Sequence, residues 1–88
     1  MPKIRLFANF RELAKTKELE IDGSTVREVI ENLCKKFNGL SNMIFKDGNL
    51  RAYVNVFLNG KNILESEGLE TPLKLDDEIA IFPPVSGG

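Results

Sequence analysis

The sequence predicts an α+β domain in which one mixed sheet carries a single long helix across one face. Three observations lead there. Runs of alternating apolar and polar residues occur near both ends of the chain and in its middle, the period-two mark of half-buried strands. One stretch between the first pair of runs and the later ones has apolar residues at helical spacing. Turn-forming dipeptides punctuate the joins, giving the order strand, strand, helix, strand, short strand, strand. A long helix between two strand pairs packs most simply over one face of a single sheet.

Residues 3–9 alternate, with Ile4, Leu6 and Ala8 on one face and Lys3, Arg5 and Phe7 on the other. Leu19 and Ile21, spaced by Glu18, Glu20 and Asp22, form a second strand that ends at Asp22-Gly23. Residues 10–16 between them read as a connection longer than a tight turn, with Phe10 and Leu13 tucked beneath it. Thr25 with Glu28 three residues later matches a capping box, with Ser24 as the competing cap. Val26, Val29, Ile30, Leu33 and Phe37 then make one buried helical stripe, and Lys35 and Lys36 suit the negative end of the helix dipole. Asn38-Gly39 supplies a left-handed stop. Residues 40–50 read as irregular, anchored by Met43, Ile44 and Phe45 and turned by Asp47-Gly48-Asn49. Residues 51–58 are a third strand, with Ala52, Val54, Val56 and Leu58 on one side and Tyr53, Asn55 and Phe57 on the other. Asn59-Gly60 is a hairpin signal into a short strand over 61–64. Residues 65–75 form a loop with a short helical turn pinned by Leu69 and Leu73. Glu78–Phe82 is the last strand, burying Ile79 and Ile81.

Eighty-eight residues make one small domain, organised as a body over 1–82 and an extended tail over 83–88. Apolar residues at 42% and charged residues at 28% are ordinary for a soluble globular chain. Twelve basic and thirteen acidic residues are interleaved to a net charge of −1, so no broad field is offered to nucleic acid or to a membrane surface. The slightly basic cluster of Arg11, Lys15 and Lys17 contains Glu12 and Glu18 and reads as a solvated turn rather than a phosphate site. With one cysteine and no histidine, the chain builds no internal disulfide, no CxxC pair, no Cys-His or Ser-His catalytic pair and no typical zinc site. Cys34 reads as a small semi-buried hydrophobe. Met1-Pro2-Lys3-Ile4 leads straight into the first strand without a signal peptide, and no apolar stretch approaches bilayer length, so a cytoplasmic location is expected. Asp76, Asp77 and Glu78 are read as solvated rather than metal-binding, and Asp47-Gly48-Asn49 lacks the remainder of a calcium loop. No metal and no cofactor is expected on this chain.

The reactive chemistry is read from Ser86-Gly87-Gly88. A terminal Gly-Gly has no packing value, since glycine brings no side chain and loses the most backbone entropy on ordering. The sharper reading makes the carboxylate of Gly88 the reactive group, with Gly87 and Gly88 narrow enough to enter a slot in a partner enzyme. Pro83 and Pro84, with φ held at about −65°, keep the stem extended. Six residues from Pro83 span roughly 20 Å when stretched.

The element order, the opening Leu6-Phe7-Ala8-Asn9-Phe10-Arg11-Glu12-Leu13 and the ending Ile81-Phe82-Pro83-Pro84-Val85-Ser86-Gly87-Gly88 together resemble the β-grasp, ubiquitin-like sulfur carriers. The nearest look-alikes are the small subunit of molybdopterin synthase and its archaeal relatives, the ubiquitin-like small modifier proteins. Thiazole-pathway carriers share the Gly-Gly but are typically shorter and lack the Phe-Pro-Pro run. The resemblance implies that an E1-like adenylating enzyme, using ATP and Mg²⁺, activates Gly88, and that a sulfur donor protein converts it to a thiocarboxylate. That sulfur would pass to a pterin precursor in the synthase large subunit for molybdenum or tungsten cofactor assembly. Pro83, Pro84, Val85 and Ser86 would line the partner channel, with Val85 as an apolar grip. The alternative is a protein modifier joined through Gly88 to lysines of target proteins. In both cases the chain is not an enzyme alone. The 65–73 segment looks like the archaeal modifier variety. The family often has Asp-Gly-Asp-Glu before the last strand; here Asp76 stands at the Gly position, so a left-handed Asp76 is expected, tolerant of Asp76→Gly.

Strand alternation also suggests a docking face. If Ile4, Leu6, Val54, Val56, Ile79 and Ile81 point at the helix, Phe7, Phe57 and Phe82 point away from it and form an apolar patch for a protein partner.

Overall fold

A parallel pair of strands from opposite ends of the chain forms the middle of the main sheet. The structure, a computed structural model, describes residues 1–52 and 54–83. Strand β1 (Lys3–Leu6) runs parallel to β7 (Glu78–Phe82), with Ile4 opposite Ile79 and Leu6 opposite Ile81. All four side chains are buried. Strand β2 (Glu18–Glu20) pairs antiparallel with β1, and β5 (Asn55–Leu58) pairs antiparallel with β7 and with β6 (Lys61–Asn62). The order across the sheet is β2-β1-β7-β5-β6. Helix α2 (Val26–Lys36) packs over the inner face with Val26, Val29, Ile30 and Leu33 buried. Its start follows the capping expectation: the Thr25 side chain accepts from the Glu28 N–H at 3.2 Å. The Glu28 carboxylate reaches back one residue further, accepting from the Ser24 N–H at 2.9 Å. The helix ends before the expected Asn38-Gly39 stop, with Phe37 extended at φ −126°, and Gly39, at φ 89°, instead opens the next helical stretch.

Several elements differ from the sequence reading. The first strand stops at Leu6, and residues expected to be a loose connection form helix α1 (Ala8–Ala14), with Ala8 exposed and Phe10 and Ala14 buried. Burial of Phe10 supplies the stability that a seven-residue helix lacks by itself. The 40–50 segment is ordered as helix α3 (Leu40–Ile44) and a small hairpin of β3 (Phe45–Lys46) and β4 (Asn49–Leu50). Asp47 and Gly48, at φ 53° and 82°, form the two-residue turn that a tight hairpin requires. The third long strand is shorter than expected, beginning at Asn55, and Ala52 is exposed instead of facing inward. A bond from the Val54 N–H to the Arg51 carbonyl turns the chain there. The short strand after Asn59-Gly60 ends at Asn62, and Ile63–Glu65 is a 3₁₀ turn, followed by a second at Gly68–Glu70. Asp76 does not have positive φ; among the described residues the non-glycine ones that do are Ala8, Lys15, Asp47 and Asn59. The Asp77 N–H donates to the Lys74 carbonyl at 3.2 Å, closing a turn that needs no left-handed residue. The rationale for a neutral Asp76→Gly is therefore removed.

Gly23 sits where α2 passes closest to the chain entering it. A Cβ there would lie 2.6 Å from Val29 Cγ2 and 2.8 Å from the Val29 backbone nitrogen. Backbone cannot retreat as a side chain can. Gly23→Ala is expected to cost about 2 kcal/mol and to lower Tm by roughly 10 °C in thermal unfolding.

Candidate functional site

The outer face of the sheet is formed by side chains that alternate away from α2. Phe7 follows β1, Phe82 ends β7 and Phe57 lies in β5, so the pairing of these three strands sets the aromatic rings side by side. Phe7 and Phe82 stack with centroids 4.4 Å apart and planes 15° apart. Phe57 meets Phe82 edge-on at 5.6 Å and 86°. All three are half-buried, and with Asn55, Ala80 and Pro83 they line a broad depression of about 790 Å³. Ala80, opposite Phe57 and next to Phe82 on the same face, leaves the floor of the depression low. The sequence-predicted cluster is thus brought together by contact. Pro83 borders it. Pro84, Val85, Ser86, Gly87 and Gly88 lie outside the described residues, as does Tyr53.

The rim is charged. Arg5 Nε lies 3.4 Å from a Glu18 carboxylate oxygen and 3.3 Å from one of Glu78. Next to Glu78, just before β7 begins, Asp77 ties two turns together. Its Oδ1 accepts from Asn59 Nδ2 at 2.9 Å and its Oδ2 from the Lys74 N–H at 2.7 Å. Asn59 Oδ1 in turn accepts from the Glu78 N–H at 2.9 Å. The sequence reading took Asp77 for a merely solvated residue; the missed signal was a turn-forming Asn-Gly that needed a partner for its amide. The Lys74 backbone bond and then the Asn59 amide hold the Asp77 carboxyl below its ordinary value. The folded state therefore favours the ionised carboxylate, and this contribution is present in full above about pH 4 and lost as pH falls through the lower folded-state value. Asp77→Asn is expected to flatten the acid limb of a Tm-against-pH profile; an unchanged acid limb would remove Asp77 from the account.

Cys34 lies on the other side of the molecule, half-buried on α2. Burial and then the Glu31 charge push its thiol up to about 11. At neutral pH roughly one molecule in ten thousand would carry the thiolate, so Cys34 is suited to packing and not to sulfur transfer. Among the described residues, no three Asp, Glu, His or Cys side chains converge as metal ligands, and no helix is long and apolar enough to cross a membrane. Arg27, read from the sequence as facing water, instead bonds Glu70 at 2.6 Å and the Gly48 carbonyl at 3.0 Å, joining α2 to a 3₁₀ turn and to the small hairpin.

A five-stranded mixed sheet grasping one main helix, with an aromatic patch where the last strand exits, defines a ubiquitin-like β-grasp carrier. A profile of the ThiS family matches residues 4–88, and the chain belongs to that family. Small archaeal modifier protein 3 of Haloferax volcanii is 35% identical over 89 residues, covering 98% of this chain and 97% of that protein. The molybdopterin synthase sulfur carrier subunit of Escherichia coli is 33% identical over 90 residues, covering 100% of both. The solution structure of small archaeal modifier protein 1 from Methanosarcina acetivorans superposes with a TM-score of 0.92 at 46% identity, over 99% of this chain and 95% of that one. The class is that of a small ubiquitin-like sulfur carrier that works with partner proteins.

Proposed function

We propose that this chain carries sulfur as a thiocarboxylate on Gly88 and serves as the small subunit of a molybdopterin synthase. The observation that carries the reading is the stacked Phe7–Phe82 pair at the exit of β7, followed at once by Pro83-Pro84-Val85-Ser86-Gly87-Gly88. A half-exposed aromatic patch gives a partner something to grip, and the stem beyond it has the reach of an extended chain. The chemistry starts from an unreactive group. A carboxylate is a poor electrophile, so an E1-like enzyme with ATP and Mg²⁺ joins it to AMP and releases pyrophosphate. A persulfide sulfur of a donor protein then displaces AMP to give an acyl disulfide. A second thiol of the donor attacks the donor-side sulfur, so that the S–S bond breaks, the thiocarboxylate leaves and a disulfide remains on the donor. The partner supplies the acid and base groups, which suits a chain without histidine. In the large subunit, Pro83 and Pro84 would stiffen the stem while Val85 and Ser86 line the channel. Phe7, Phe57 and Phe82 would form the docking face.

A second reading is favoured by the modifier names of two relatives: Gly88 joined through an isopeptide bond to lysines of target proteins. Intact-mass spectrometry of the protein purified from its own cells separates the two. A species heavier by the difference between sulfur and oxygen supports the carrier. Branched Gly-Gly remnants on lysines of other proteins, without that species, would replace it with the modifier.

A further inference from the structure

Beside the aromatic patch the structure holds a second depression, lined by Arg5, Phe7, Arg11, Lys17 and Glu18 among others. Three cations face one carboxylate there, in a chain whose net charge is −1. Position makes this excess significant. The Leu6 N–H donates to the Lys17 carbonyl at 2.8 Å, and Leu6 lies opposite Ile81. Lys17, the end of β1 and the end of β7 thus stand side by side, and Arg11 on α1 lies above them. The ion pairs among the described residues are Arg5 with Glu18 and Glu78, and Arg27 with Glu70. Arg11 and Lys17 enter none of them, and both are exposed. Arg5 is already matched by its two carboxylates, so the unmatched charge belongs to Arg11 and Lys17. From the sequence these residues read as a solvated turn; the fold sets them on the shoulder of the tail exit.

We propose that Arg11 and Lys17 form a basic shoulder that engages acidic side chains of the adenylating enzyme as it takes in the tail. The inference rests on the carrier reading and adds the charge of the partner surface beside the aromatic grip. Rim charges of this kind act mainly on the rate of encounter and on salt dependence, leaving the chemical step alone. They would orient the carrier so that Phe7 and Phe82 meet the partner with the stem already aimed at the active centre.

The test is ATP–pyrophosphate exchange by the E1-like adenylating enzyme of the same organism, with this chain as the varied substrate. The double variant R11E/K17E is expected to raise KM about ten-fold at low ionic strength with kcat unchanged. The gap should narrow as salt is added. Lys61→Glu with Lys74→Glu, an equal change of charge on exposed residues beside the start of β7, the end away from the tail exit, serves as the control and should leave KM at the wild-type value. Thermal unfolding checks that the variants are folded. An R11E/K17E KM equal to that of the control overturns the basic shoulder while leaving the carrier reading intact. No exchange with the wild-type chain would instead remove the carrier reading and this inference with it.

Discussion

Gly88→Ala is expected to lower adenylation, measured as kcat/KM in pyrophosphate exchange, by about 100-fold, the cost of displacing a reacting atom by roughly an ångström. The argument is steric. In the proposed reaction the attacking carboxylate oxygen would be brought in line with the α-phosphorus of ATP inside a slot that admits backbone alone. A methyl group on the last residue moves the carboxylate or is refused. Folding should be untouched, because the buried apolar core among the described residues runs from Ile4 to Ile81 and is complete before the tail begins. Thermal unfolding of the variant should therefore superimpose on that of the parent. Adenylation at the parental rate would refute the slot.

Phe82→Lys should separate docking from folding. Phe82 is the middle ring of the patch, stacked on Phe7 and edge-on to Phe57, so its loss breaks both contacts at once. Each such pair contributes about 0.5–1.5 kcal/mol beyond area burial, and a moderate fall in Tm is expected. Binding should suffer more. An aromatic at the centre of an interface commonly contributes 2 kcal/mol or more, which corresponds to roughly a 30-fold rise in Kd. Calorimetric titration against the adenylating enzyme reads this directly. A collapsed Tm with unchanged Kd in the remaining folded fraction would make Phe82 a structural residue and end its docking role.

The elements legible in the sequence were those whose signals are local and redundant. Helix α2 had its cap and its stripe within residues 25–37, and both were found where expected, although the chain leaves the helix at an extended, half-buried Phe37 and not at Asn38-Gly39. Glu78–Phe82 alternates cleanly and is the strand observed. Asn59-Gly60 forms its hairpin turn because both residues accept positive φ, at 50° and 86°. Helix α1 was harder to see. Phe10, Leu13 and Ala14 have helical spacing, but the helix is one residue short of two and a quarter turns and ends at Lys15 with φ 58°, where glycine is the usual signal. Helix α3 has only five residues, too few to show a period. Asp76 misled because likeness to a glycine position was taken for likeness of backbone, whereas the Lys74–Asp77 bond closes the turn without it.

Although Ala8 and Ala52, beyond the strand ends, escaped it, local pattern settled which way the side chains point within the strands that formed, since successive residues on a strand face opposite sides of the sheet. That was enough to put Phe7, Phe57 and Phe82 on the outer face and the isoleucines within. Neighbourhood is a different matter. No alternation says which strand lies beside which, and β1 joins β7 only because burying Ile4, Leu6, Ile79 and Ile81 under α2 requires the chain's two distant strands to share one sheet. That pairing stacks Phe7 on Phe82, and the pairing of β2 with the other edge of β1 brings Lys17 to the end of β1, so the patch and its charged shoulder exist only in the folded chain.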